Sequence, residues 1–388
     1  MNRRYELDWL RVLLFALLVP HHVAVGFVAW GADIYGFVNN QLAGDGMTLF
    51  IYWSHSWRLP SLFMIAGVGT WFLAARGAGP RFVGGRLLRL LVPAVFAAAF
   101  INVFGGYAIA RMTGDPSGFF SFWGTWLTDP EPKQVQHLWF LFNLAFYTVL
   151  CWPVFALRNR IPELATSPQV LVPSLVIASA LAVVIFKPHA PAIAGDNYQF
   201  PYYLVFFLGG FLIGTNCASI LDWSRRWVWP LLTGAVLLFG AKVTFLAVAL
   251  EADIATGEAL AAGGWVPLGL QPANATSFSV IEATTAWAWC LAALGLAVRF
   301  LARPTGALAE LNRAVFPVYV LHFPVTLIGL AVAAQLSLPW GIEFLGLLAF
   351  VYGMTWALWR VADRLGPAAY LVGGKPKGPA RAIVGPQH

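Results

Sequence analysis

About ten stretches of roughly 20 predominantly apolar residues recur along this chain, and each is long enough to cross the hydrocarbon of a bilayer as a helix. They fall near 9–30, 49–73, 88–110, 137–157, 170–187, 201–219, 228–249, 282–302, 314–335 and 340–362. Between them lies little that could solvate a globular surface. Only 11% of the 388 residues are charged and 59% are hydrophobic, against about a quarter charged in a soluble domain. The solvent for most of this chain is therefore lipid. Many of the 18 tryptophans stand near the ends of apolar runs, where an indole keeps its body in lipid and its N–H in the headgroup layer. The expected fold class is an all-α integral membrane protein of about ten transmembrane helices.

Charge placement gives an orientation. Of 24 Lys and Arg, 19 lie in 1–11, 74–89, 158–169, 220–227, 303–313 and 360–388 or at the helix end holding Arg299. Three, Arg111, Lys133 and Lys187, lie in the alternate loops, and two, Arg58 and Lys242, fall within spans. The alternation never breaks, and the positive-inside rule then predicts both termini in the cytoplasm. Three outside loops, 31–48, 111–136 and 250–281, are long and rich in Gly, Pro, Asp and Trp, as functional loops often are. The net charge of +7 is spread over short loops, which argues against nucleic acid as a partner.

The other compositional signals are mostly negative. Cys151, Cys217 and Cys290 have no CxxC spacing and read as packing residues; no metal site is expected. The first apolar run is too long for a cleaved signal. No internal repeat is evident, which weakens an inverted-repeat transporter. The expected organisation is one membrane domain, 1–364, and a disordered cytoplasmic tail, 365–388, whose Gly373–Gly374–Lys375–Pro376 run cannot support a core.

Ionisable residues inside spans are costly, so each needs a reason. Helix 1 reads Glu6-Leu7-Asp8-Trp9-Leu10-Arg11, then Pro20-His21-His22. Asp8 and Arg11 stand i, i+3 and can pair. Arg11 and His22 are eleven residues apart, which places both on one helical face with about 16 Å of rise between them. Arg11 then lies at the inner surface and His22 near mid-membrane, while His21 points elsewhere. Pro20 is expected to bend the helix at that depth. The bland alternative is that both histidines merely bond to neighbouring helices. Helix 3 opens on Arg86 and Arg89, one turn apart. Two guanidiniums so placed can grip phosphate bidentately, or serve only as a positive-inside anchor. His55 and Arg58 lie at the outer start of helix 2, where Gly67 and Gly69 are expected to permit close helix packing. His137 and Trp139 lie at the outer start of helix 4. His322 lies in helix 9, about two turns from the cytoplasmic side, where it is either functional or a satisfied core histidine.

Taken in order, these stretches resemble the membrane-bound acyltransferase 3 family, and within it the branch related to the glucan-modifying protein C of bacterial envelopes. The matching pieces are Leu7-Asp8-Trp9-Leu10-Arg11 with His22, Trp57-Arg58-Leu59-Pro60 with Ala66-Gly67, Arg86 and Arg89 before Leu90-Leu91-Val92-Pro93, His137-Leu138-Trp139-Phe140-Leu141, and Phe316-Pro317-Val318-Tyr319-Val320-Leu321-His322. The resemblance implies transfer of an acyl group, acetyl, succinyl or similar, from cytoplasmic acyl-CoA to a hydroxyl of an envelope glycan or related exported acceptor. The setting it implies is the bacterial inner membrane. It maps the essential histidine to His22, with His322 or Asp8 assisting, and the donor grip to Arg11, Arg86 and Arg89. His55, Arg58, His137 and Trp139 become candidates for binding the acceptor. The appended periplasmic hydrolase-like domain of many relatives is not expected here, so acceptor selection would fall to the membrane domain and its outer loops. Two rivals use the same residues differently: a transporter or flippase, which would consume no acyl donor, and a sensor or scaffold, which would tolerate replacement of His22.

Overall fold

The computed structural model describes residues 3–129, 134–186, 199–256 and 272–374. Among them every regular element is helical. In chain order these are α1 (Tyr5–Ala16), α2 (Leu18–Val25), α3 (Ala32–Tyr35), α4 (Asp45–Ala74), α5 (Pro80–Phe100), α6 (Asn102–Met112), α7 (Phe119–Thr128) and α8 (Trp139–Leu150). There follow α9 (Trp152–Ala156), α10 (Pro168–Phe186), α11 (Gln199–Thr215), α12 (Cys217–Arg226), α13 (Val228–Thr256), α14 (Pro272–Phe300), α15 (Gly306–Ala333) and α16 (Trp340–Arg364). The break between α1 and α2 falls at Leu17. Pro20 explains it, because proline has no N–H for the Ala16 carbonyl and its ring crowds that oxygen.

Seven helical runs among the described residues are long and apolar enough to cross a membrane: Tyr5–Val25, Pro80–Met112, Pro168–Phe186, Val228–Val248, Phe278–Phe300, Gly306–Ala333 and Trp340–Arg364. The remaining expected spans depart from that measure for local reasons. α4 carries Asp45, Ser54, His55, Ser56, Arg58 and Ser61 among its apolar residues. The fourth expected span is divided at Cys151 into α8 and α9. The sixth is bent by 103° between α11 and α12, so the stretch expected as an inside loop, 220–227, belongs largely to a helix. That helix carries Asp222 bonded to Arg225 and Arg226 on its polar side. Ile220 and Leu221 are buried.

The chain forms two compact units. The first comprises Met1–His21, Asp45–Leu87 and Trp139–Thr305. Its centre is the contact of α4 with α11, made possible by a glycine on each helix. A Cβ on Gly67 would lie 2.0 Å from the Phe207 carbonyl oxygen, and one on Gly210 would lie 1.9 Å from that of Met64. Such mutual close approach is the usual role of small residues between membrane helices. Gly69 has no such role: nothing lies within 4 Å of where its Cβ would be, so the expected packing pair is corrected to Gly67 alone. Around Phe63 the rings of Phe140, Tyr147 and Tyr203 gather at 4.6–5.6 Å between centroids. α14 packs against α13, α10, α12 and α1. Cys151, Cys217 and Cys290 are buried free thiols, and Cys290 lies 3.1 Å from the Ser61 hydroxyl.

The second unit comprises His22–Gly44, Leu88–Leu138 and the described part of Gly306–His388. α15 packs against α6 and α16. The segment after α2 is tied down at both ends. Gly36, in the left-handed region at φ 73°, closes α3, where a residue with a Cβ would be strained. Asn39 then donates to Glu343, and Asn40 to the Ala334 carbonyl. The long loop 111–136 contains an aromatic helix, α7. Trp123 and Trp126 donate to the carbonyls of Ala99 and Ala98, which are among the acceptors a helix leaves unpaired at its C-terminus. At the other end, Gly366–Val372 form a 3₁₀ helix against α15 and α16, so the tail expected from 365 begins with ordered helix; residues 375–388 lie outside the described residues, as do 257–271 of the expected loop 250–281, whose described flanks instead continue α13 to Thr256 and open α14 at Pro272.

Candidate active site

Three histidines that are far apart in sequence meet in the second unit. His22 Nδ1 lies 3.0 Å from His322 Nε2. His322 Nδ1 lies 2.6 Å from the Tyr319 carbonyl oxygen. His137 stands edge-on to His322 with ring centroids 5.0 Å apart, and its own carbonyl accepts from the Tyr319 hydroxyl. His322 and His137 are buried, at 1% and 7% exposure, and His22 is half-buried.

The chain that positions these groups is constrained on every side. Tyr35 donates to the His22 carbonyl at 3.0 Å, and the Phe323 ring packs edge-on to the His22 imidazole at 4.9 Å. Pro317 and Pro324 lie within α15, one to each side of His322. Each lacks an N–H and loosens the helix locally. Thr326 satisfies the His322 carbonyl from the next turn at 2.8 Å.

The hydrogen bonds assign the protons. A carbonyl oxygen only accepts, so His322 carries its proton on Nδ1. In a neutral His322, Nε2 is then an acceptor, and the Nδ1–H of His22 donates to it. A neutral His22 so oriented carries its lone pair on Nε2. The Tyr319 carbonyl, through His322, thereby sets the tautomer of His22, as an orienting group does for a general base or nucleophile.

The first unit collects a different set of the expected site residues. His21 Nδ1 lies 2.7 Å from the Ser54 hydroxyl, and its ring stacks on His55 at 6.0 Å. Arg58 is buried at 1% exposure, and buried Lys242 donates to Ser56 at 3.0 Å. Trp139 stacks on Tyr203 at 5.7 Å. The expected acceptor residues therefore divide: His137 joins the His22–His322 cluster, while His55, Arg58 and Trp139 belong to the first unit. Asp8 is engaged by Arg3 at 2.8 Å and Arg11 at 3.5 Å. Arg86 donates from Nε to Thr148 at 2.8 Å with its guanidinium over the Phe207 ring, and Arg89 is exposed. The role of Tyr319 was not read from the sequence, although its place one turn before His322 puts both on one face.

Comparison with known proteins gives a concordant result. The family model described as an acyltransferase domain matches residues 4–360. Similar proteins include the glucans biosynthesis protein C of Escherichia coli O1:K1, 24% identical over 98% of both chains. The protein of the same name from Salmonella paratyphi B is 24% identical, over 99% of this chain and 98% of that one. No solved structure matches the chain. A match over nearly the whole length, on a chain whose helices are made for lipid, places this protein in the acyltransferase family as a multi-pass membrane enzyme that transfers acyl groups.

Proposed function

We propose that the protein moves an acyl group from acyl-CoA in the cytoplasm to a hydroxyl of an envelope glycan, within a bacterial inner membrane crossed ten times with both termini inside. The observation that carries the chemistry is the chain of contacts from the Tyr319 carbonyl through His322 to His22. In this reading His22 Nε2 removes the acceptor's hydroxyl proton as its oxygen attacks the thioester carbonyl. The C–S bond breaks, the departing sulfur takes the proton from His22, and an ester and free CoA result. The same lone pair serves if the acyl group passes briefly through His22 itself. A histidine partner can accept the Nδ1 hydrogen bond of the transient imidazolium without bringing a fixed charge into the membrane.

The donor reading rests on position. Arg11 precedes His22 by eleven residues in the sequence, on the side expected at the inner surface. That matches a donor whose phosphates stay at the inner surface while its thin arm reaches inward. The acceptor reading rests on the name shared by the similar enterobacterial proteins and on the proximity of His137 to His322. The test uses purified protein in lipid nanodiscs with radiolabelled acyl-CoA and an envelope glycan extract. Label should pass to the glycan with wild type and not with His22→Ala. Consumption of no thioester by wild type, across acetyl- and succinyl-CoA, would refute the donor assignment.

A further inference from the structure

Two cavities in the first unit adjoin the C-terminal turns of α4, on neighbouring faces, and both are lined by Ala75. The first, of about 540 Å³, is lined by Arg3, Arg4, Arg11 and Arg76, with Gly69 and Phe72 among its walls. Asp8 is the only carboxylate among the residues lining it, and it is shared by Arg3 and Arg11. Arg4 pairs in turn with buried Glu6 at 3.6 Å, so four guanidiniums face two acids and leave a positive excess. Guanidinium is the side-chain group best matched to phosphate oxygens. The second cavity, of about 590 Å³, differs in chemistry. Trp71 lines it, with Arg158, Glu163, Asn159 and Asn216 among the others, so its one cation is balanced by one acid. An indole and two amides, one of which also donates to the Thr166 carbonyl, are suited to a flat heterocycle with a mixed hydrogen-bonding edge. Gly214 leaves room for Trp71, since a Cβ there would lie 2.6 Å from the tryptophan Cβ.

We propose that the two cavities form one nucleotide cradle, the arginine cavity taking the phosphates and the Trp71 cavity the purine base. The ligand class is an adenine nucleotide with several phosphates, and on the donor reading above it is the nucleotide end of acyl-CoA. The cradle adds Arg3, Arg4, Arg76 and Trp71 to the residues expected from the sequence. It also changes the assignment of Arg86, whose Nε is bonded to Thr148 and which acts as a positioning residue. Gly69 acquires a reason for lacking a side chain. A Cβ there would meet nothing within 4 Å, and a side chain built on it would enter the cavity that Gly69 lines.

The test measures equilibrium binding of CoA, adenosine 3′,5′-bisphosphate and pantetheine to full-length protein in zwitterionic nanodiscs. Arg3→Ala combined with Arg76→Ala, and separately Gly69→Leu, should each weaken CoA and bisphosphate binding about tenfold or more, and leave pantetheine unchanged. Trp71→Ala should weaken the adenine ligands about tenfold. The arginines are half-exposed or exposed and leucine is a better helix former than glycine, so these two variants should fold with unchanged melting temperature. If wild type binds CoA and every variant binds it equally, the cradle is refuted and the donor reading stands. If wild type binds no CoA, both fail. A second arm adds phosphatidylglycerol to the nanodiscs. Unchanged wild-type affinity for CoA supports a nucleotide site, whereas competition by the lipid together with unchanged CoA binding by the arginine variants identifies a headgroup site and overturns the proposal.

Discussion

At the scale of single residues, the Tyr319 carbonyl governs the proposed chemistry, because an acceptor that cannot donate fixes both protons upstream of it. Removing His22 removes the lone pair itself, so His22→Ala should lower transfer by at least the 10²–10⁴-fold typical of a positioned acid–base group. His322 acts one step back, and its replacements should separate orientation from packing. The amide oxygen of His322→Gln can still accept from His22 Nδ1–H, whereas His322→Ala cannot. Single-turnover rates should fall about tenfold or less for Gln and roughly 10²-fold for Ala, with donor affinity unchanged in both. Equal loss in the two variants would mean that His322 serves only as core. Helical phase separates His21 from His22 in the sequence, and the structure agrees: His21 is bonded to Ser54 in the other unit. The Tyr319 contribution was hidden because the active group is a backbone carbonyl, which no side-chain pattern reports. The arginine pair of α5 was legible as a pair but not in its division of labour. Arg86→Ala loses the Thr148 bond and the Phe207 stack, and should cost about 1–3 kcal/mol of stability. Arg89→Ala, on an exposed residue, should stay within about 0.5 kcal/mol. Thermal unfolding in detergent compares the two, and an equal cost would remove the distinction.

At the scale of elements, apolar length foretold helices well because lipid allows a backbone few other ways to pair its polar groups. It foretold less about where helices break. The division at Leu17 follows from Pro20, three residues ahead. The 103° bend between α11 and α12 has no proline to announce it and falls where an apolar helix gives way to one with a charged side. Glycine was legible only as a residue type. Gly67 and Gly69 look alike in the sequence, yet one meets a carbonyl and the other meets nothing. Gly67→Ala must therefore force α4 and α11 apart and should cost about 1–3 kcal/mol as an overpacked contact. Gly69→Ala should be neutral or slightly stabilising, since alanine is the better helix former by about 1 kcal/mol. Melting temperatures that fell equally for both would contradict the α4–α11 contact.

At the scale of the whole molecule, charge placement bears on topology as much as apolar length does. Length and composition identify seven crossing helices among the described residues. The ten-span reading comes from adding α4, the α8–α9 pair and α11, each a helix where the sequence predicts a span. The alternation of Lys and Arg requires all three, because omitting any one would send later basic loops to the wrong side. The two accounts assign opposite sides to particular loops, so they can be told apart by chemical access. The three native cysteines are buried and can be replaced by alanine to give a silent background. Single cysteines are then introduced at exposed positions: Asp45→Cys, Gly124→Cys and Arg81→Cys. In intact cells an impermeant thiol reagent should label the first two and spare the third, which should label only after permeabilisation. Asp45 and Arg81 bracket α4, so that pair asks directly whether α4 crosses. Labelling of both from outside would return α4 to one side of the membrane, and with it would fall the cytoplasmic placement of Arg76 and of the cradle it helps to line.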